Sequence, residues 1–264
     1  MNRIIRPYVR RQLAQCPRRT RKFFTLNDQK AELIIRYIVN FFSEVVSTGI
    51  LVFLVCLGGV NGLGQNGNFT GAILCASLGV FMAIQVGSQV SGGHANPAVT
   101  VLSLFFKKLT FPMAINYICG QVVGGILGFG LIILITPTTE MLNEGHKYGL
   151  GTTVPHPDLS LLQALIVEFL LTVLLMAMIC SAWDPRNAYH DSMSLKIGLS
   201  VFPLAYAGAP YSGCSMNPAR SFGPALWNNV WKDHWIYWVG PLSGAMVCGF
   251  FYTTFFCPKI SRNN

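Results

Sequence analysis

Charged positions fall along this chain in blocks separated by long uncharged stretches. Asp, Glu, Lys and Arg are absent from 45–106, 109–139, 197–219 and 234–258, and within 159–183 Glu168 is the single charge. About 20 consecutive apolar residues carry a helix across a hydrocarbon layer. The pattern therefore predicts six spans, at about 37–60, 70–90, 111–135, 161–183, 193–209 and 235–256. Two apolar pieces are too short to be spans: AVTVLSLFF at 98–106 and NPARSFGPALW at 217–227. Nine helical residues rise only about 14 Å, half a bilayer. Each piece must enter and leave on one side, as a re-entrant half-helix.

Both short pieces follow an Asn-Pro pair, Asn96-Pro97 and Asn217-Pro218. Asn can cap a helix and Pro can fill its first position, where the missing N–H costs nothing. Rare features recur at one interval: Glu44 and Glu168 are 124 apart, Asn96 and Asn217 are 121 apart. That interval marks an internal duplication. Each unit holds three spans, an odd number, so the second sits upside down relative to the first. The expected fold is an all-α membrane protein with six transmembrane helices and two re-entrant half-helices in an inverted repeat. Its repeats cover about 37–135 and 161–257, and the half-helices meet near the midplane, where inverted repeats with broken helices build polar sites.

Composition agrees with a membrane protein. Hydrophobic residues make up 52% and charged residues 11% of the 264, against roughly 25% charged in an average globular chain. Ten Lys/Arg lie in 1–36, read as a basic, disordered cytoplasmic tail that can touch anionic lipid headgroups. With the N-terminus inside, sixteen Lys/Arg fall on the cytoplasmic side and only Lys147 and Lys232 in outer loops. Residues 258–264 form a second short cytoplasmic tail. The same orientation puts Asn68-Phe69-Thr70 outside, with Asn68 as a glycosylation candidate. The eight cysteines are scattered, without a CxxC or a Cys/His cluster. No metal site, no cofactor and no disulfide framework is expected. No nucleophile–base–acid set points to an enzyme, and no nucleic-acid partner is expected.

Two helix N-termini facing each other carry partial positive charge and repel cations. An Asn side-chain N–H not used in capping can be donated to an oxygen of a passing molecule. The pair suits an uncharged solute bearing hydroxyl or carbonyl oxygen. Arg220, three residues after Asn217, adds a fixed charge beside the outer mouth. Intramembrane carboxylates are functional candidates by default, and a proton-coupled transporter could use Glu44 or Glu168. Their equivalent places suggest a structural duty instead: accepting hydrogen bonds from backbone N–H groups that lipid cannot satisfy. His94 has two readings, a residue that fixes the loop or a protonation gate.

SGGHANPAVT and GCSMNPARS, on six spans and two half-helices, resemble the aquaporin family throughout 37–257. The resemblance implies homotetramers with one pore per subunit, Asn96-Pro97-Ala98 and Asn217-Pro218-Ala219 as the paired pore motifs, and the exclusion of protons and cations described for aquaporin-type pores in general. Carried over residue by residue, the family's outer constriction falls on Arg220 and Cys214, then on Ala205, 12 before Asn217, and Ala76, 20 before Asn96. Water-selective members resemble each other in having His and Phe where this chain has the two alanines. Two methyl groups in place of an imidazole and a phenyl open the constriction and leave an apolar wall opposite a guanidinium. Glycerol fits such a wall; urea could fit too. Ser221, Ala225, Tyr237 and Trp238 look like the water-channel branch. The combination resembles an insect group of glycerol-permeable channels derived from water-type ancestors. At Cys214 either the backbone carbonyl or the thiol also faces the lumen. The reading that follows is a passive plasma-membrane channel for glycerol, urea and water that excludes ions. The alternatives are a water-selective channel, a junction or adhesion protein, and an active transporter.

Overall fold

The computed structural model describes residues 26–60, 68–137, 149–188 and 190–256. Most of the basic tail, Lys147 with most of the loop around it, and residues 257–264 lie outside the described residues. Tyr37–Asn264 forms one compact unit, to which every contact below belongs; Met1–Arg36 forms another.

Among the described residues there are eight α-helices and no strand: α1 Leu26–Leu57, α2 Phe69–Gly87, α3 Pro97–Phe105, α4 Phe111–Ile135, α5 Leu161–Trp183, α6 Met193–Ser212, α7 Pro218–Asn228 and α8 Ile236–Phe251, the last continued by a π-turn, Tyr252–Phe256. Lys30–Leu57 within α1, then α2, α4, α5 and α8 with its π-turn are long and apolar enough to cross a membrane by length and composition. The 20-residue α6 has the length but a more polar composition, with Lys196, Pro203 and Pro210 inside it. The half-helices are nine and eleven residues long. One expectation is corrected. The sequence places Leu26–Arg36 in a disordered tail, yet these residues are helical. The segment is rich in Leu, Gln, Lys, Ala, Glu and Ile, and it extends a helix that is already nucleated, so each residue adds a hydrogen bond without a new nucleation cost.

The ends are set by local chemistry. Asn68 caps α2, its Oδ1 accepting from Thr70 N at 3.0 Å and Gly71 N at 3.3 Å. Ser160 and Gln163 form a reciprocal capping box on α5. Gly213, at φ +78°, closes α6 in the left-handed region that glycine adopts without strain.

The duplication is visible in the packing. Gly120 lets α4 approach α1 so closely that a Cβ there would meet Phe41 O at 2.7 Å and Glu44 Cβ at 3.3 Å. Gly240 does the same for α8 on α5, where a Cβ would meet Glu168 Cβ at 2.8 Å. Small residues at such crossings are how helices pack where no hydrophobic force separates them from lipid. Each glutamate is thereby enclosed between two helices, and both are 0% exposed.

From there each glutamate reaches the loop that feeds a half-helix. Glu44 Oε1 accepts from Ser91 Oγ at 2.6 Å and His94 N at 3.0 Å; its Oε2 accepts from Ala95 N at 2.8 Å and Gln121 Nε2 at 2.7 Å. Glu168 Oε1 accepts from Ser212 Oγ at 2.6 Å and Ser215 N at 2.8 Å, and its Oε2 from Met216 N at 2.9 Å. Two tyrosines complete the match: Tyr117 OH donates to Ser91 O and Tyr237 OH to Ser212 O, both at 2.8 Å.

Glu168→Gln sets an amide N–H against the Met216 N–H and leaves a buried donor unpaired, a cost of about 1–3 kcal/mol. The expected outcome is a melting temperature lowered by roughly 5 °C in detergent, measured by thermal unfolding. Ser212→Ala, which removes one of the three donors and leaves both backbone bonds, lowers it by less.

Candidate transport pathway

Positive backbone φ angles recur in the two loops before the half-helices. Gly92, Gly93 and Ala95 have φ of +92°, +62° and +48°; Gly213, Cys214 and Met216 have +78°, +47° and +50°. Non-glycine residues there cost roughly 1–2 kcal/mol each, so the surrounding bonds must hold them. What the geometry achieves follows from the planar peptide. The N–H groups of His94 and Ala95 point at Glu44, and those of Ser215 and Met216 at Glu168. The carbonyls of the same four peptides, on Gly93, His94, Cys214 and Ser215, must therefore point the opposite way. All four residues line one cavity. The loops thus turn a row of acceptors toward it.

The half-helix tips meet in the same cavity. Asn96 Oδ1 caps α3 at Ala98 N (2.8 Å), and Asn217 Oδ1 caps α7 at Ala219 N (3.1 Å) and Arg220 N (3.3 Å). Pro97 and Pro218 occupy the first helical positions. Each Asn also bonds across the interface: Asn96 Nδ2 donates to Met216 O at 2.9 Å, and Asn217 Nδ2 donates to Ala95 O at 2.8 Å. One of the two N–H bonds of each amide is used in this exchange, which leaves the second for the cavity. The sequence pattern showed the capping but not the exchange.

Ala76, Ala205, Cys214 and Arg220 line the cavity together with the two asparagines. Ala76 and Ala205 are 8% and 5% exposed, so their methyl groups form a buried wall. Arg220 Nη1 donates to Gly151 O at 2.6 Å, and the left-handed φ of Gly151, +69°, belongs to the loop that presents this carbonyl. Cys214 Sγ lies 3.5 Å from Leu204 O, directed at the α6 backbone. Behind Arg220 runs a chain of hydroxyls, Thr153 to Ser221 to Ser215, at 2.7 and 2.6 Å. His94 also lines the cavity; its Nδ1 is 3.2 Å from Thr100 Oγ1 and its ring packs on Tyr117 and Trp183. The space open to water-sized molecules is about 80 Å³, several times what one water needs. Asn68 is exposed at the start of α2, away from these residues.

Sequence reasoning missed Gln121, which bonds both Glu44 and Thr100 Oγ1, the Gly151 carbonyl, and the Tyr117/Tyr237 pair. The tyrosines stand 120 apart and Ser91 and Ser212 stand 121 apart, so the repeat interval itself carried the signal. Gln121 and Gly151 have no counterpart at that interval and no such signal. Among the described residues no group of three or more His, Cys, Asp or Glu could hold a metal ion.

A family model described as Major intrinsic protein matches residues 34–252. The chain is 39% identical to Aquaporin-4 of Bos taurus over 188 residues, 71% of this chain and 56% of that protein. It is 35% identical to Aquaporin-6 of Rattus norvegicus over 224 residues, 82% of this chain and 76% of that protein. The match thus spans little more than half the length of Aquaporin-4. Among solved structures, the aquaglyceroporin from Plasmodium falciparum aligns with a TM-score of 0.73 at 24% identity, over 84% of this chain and 98% of that one, a likeness of fold. With six long helices and two half-helices among the described residues and a family match over most of its length, the chain belongs to the Major intrinsic protein, or aquaporin, family.

Proposed function

We propose that this chain is a passive channel for small uncharged solutes, glycerol and urea together with water, and that it excludes ions and protons. The observation that carries the reading is the wall of the cavity around Arg220: two buried alanine methyls, Ala76 and Ala205, on the same cavity as the guanidinium. Such a cross-section accepts a molecule with a carbon edge and a hydroxyl edge. Ordered acceptors on Gly93, His94, Cys214 and Ser215 and a free N–H on each asparagine then replace the hydrogen bonds that the solute leaves in water. At Cys214 the carbonyl serves the lumen, because the thiol is engaged with Leu204 O.

Charge supports exclusion of cations. The N-termini of α3 and α7 both end at the cavity, each equivalent to about +0.5 charge, and Arg220 adds a full one. A cation entering would lose water and gain only repulsion. The narrower reading, water alone, draws on Ser221, Ala225, Tyr237 and Trp238, which resemble the water-channel branch; Ser221 sits in the hydroxyl chain next to the arginine, and Tyr237, on α8, donates to Ser212 O. Neither narrows the alanine wall, so the wider reading is preferred. We infer also that the subunits form homotetramers in the plasma membrane with both termini cytoplasmic, following the charge asymmetry and the family resemblance. Asn68 is then the extracellular glycan acceptor, its Nδ2 left unused by the Oδ1 cap.

Proteoliposome swelling tests the solute. Wild type passes water, glycerol and urea, and Ala205→His lowers the glycerol-to-water permeability ratio by about tenfold or more. Wild type that passes water and no glycerol overturns the reading. Arg220→Val should admit small cations, read as current in voltage-clamped cells that is absent from wild type. Asn68→Gln should raise gel mobility in glycosylating cells and leave transport unchanged.

A further inference from the structure

The end of the cavity opposite the alanine wall is built differently. Met193 opens α6 and Ala205 lies twelve residues further along it, about 18 Å at helical rise. Both line the cavity. At the Met193 end stands Trp183, the last residue of α5 and the largest side chain there. Three neighbours from another part of the chain hold its indole. The His94 ring lies 5.6 Å away, tilted 41°; the Phe106 ring meets it edge-on at 5.8 Å; and Lys108 Nζ stands 5.0 Å over its face. Ring-on-ring and cation-on-ring contacts from three sides together fix one orientation of the indole.

The backbone after Trp183 is also locked. The next residue, Asp184, accepts from Arg186 N at 2.9 Å, Nε at 2.8 Å and Nη2 at 2.6 Å, and from Tyr252 OH at 2.9 Å. Arg186 Nη2 donates in turn to Phe256 O at 2.8 Å. The C-terminal end of α5 is thereby tied to the end of the α8 segment. The indole N–H of Trp183 donates to no group among the described residues, which leaves a donor at the cavity edge.

We propose that Trp183 is a second specificity-determining residue, which sets the largest uncharged solute the channel passes from the end opposite Ala76 and Ala205. The inference rests on reading the cavity as a transport path. A wide alanine wall alone leaves no upper limit near three carbons. A clamped indole supplies one, with an N–H that a hydroxyl or carbonyl oxygen can accept from.

The test is the permeability of the full chain in proteoliposomes to water, urea, glycerol and erythritol, for wild type, Trp183→Ala, Trp183→Phe and Trp183→Leu. Each solute is expressed relative to water in the same vesicles, which cancels differences in the amount of folded protein. Trp183→Ala should shift the size limit up by at least one solute and raise the glycerol-to-water ratio roughly threefold or more, with Trp183→Phe between it and wild type. If Trp183→Ala does not fold, Trp183→Leu is read by the same ratio. Reduced flux of all solutes at an unchanged ratio shows a merely structural role and overturns the proposal, as does an unchanged size limit. Wild type that passes only water overturns the glycerol reading instead; Trp183 is then judged by whether its replacement admits urea.

Discussion

Backbone that leaves a helix inside a membrane has no water to bond, and each orphaned N–H costs several kcal/mol in hydrocarbon. The loops 91–96 and 212–217 live under that constraint, and the rest of the site is a consequence of how it is met. A carboxylate is the economical solution because two oxygens accept from several donors at once. Glu44 takes four and Glu168 three. Since a glutamate in hydrocarbon needs enclosure of its own, Gly120 and Gly240 draw a second helix over each. Glycine, glutamate and loop form one device, used twice.

Satisfying the N–H groups from one side dictates what the other side offers. Because a peptide's N–H and C=O point in opposite directions, loops bound at their donors to glutamate expose acceptors to the cavity. Donors are then supplied by the asparagines, whose amides are oriented by the exchange with Ala95 O and Met216 O. That exchange binds the two half-helices tip to tip and sets their positive ends side by side. Under the proposed function, recognition of a neutral solute and repulsion of a cation draw on the same few bonds.

This division explains what the sequence made legible. Spans appear as uncharged blocks, half-helices as blocks too short to cross, and the inversion as an odd number of spans per repeat. Residues repeated at 120–124 positions, Asn96 and Asn217 above all, stand out because chance rarely produces them. Bonds between distant, unrepeated positions leave no such trace. Arg220 and the Gly151 carbonyl are 69 residues apart, Gln121 and Glu44 are 77 apart, and nothing in either stretch announces its partner. The helical start of α1 is hidden for another reason: a run of basic residues reads as disorder, although a helix already nucleated extends readily through Lys, Arg and Glu.

The frame and the wall also obey different rules. Frame residues answer to hydrogen-bond satisfaction, which tolerates almost no change of chemistry. Wall residues obey volume and packing: Ala76 and Ala205 present only methyl groups, and Trp183 packs against His94, Phe106 and Lys108. Two methyls at one end and an indole at the other can be exchanged without touching any bond to Glu44 or Glu168. A duplicated scaffold can therefore hold ion exclusion constant while its solute preference moves with a few side chains at either end. For that reason the paired Asn-Pro motifs identify a channel but do not name what it carries. The identity of the solute has to be read from the residues that break the repeat, Ala76, Ala205 and Trp183 on the wall of the cavity.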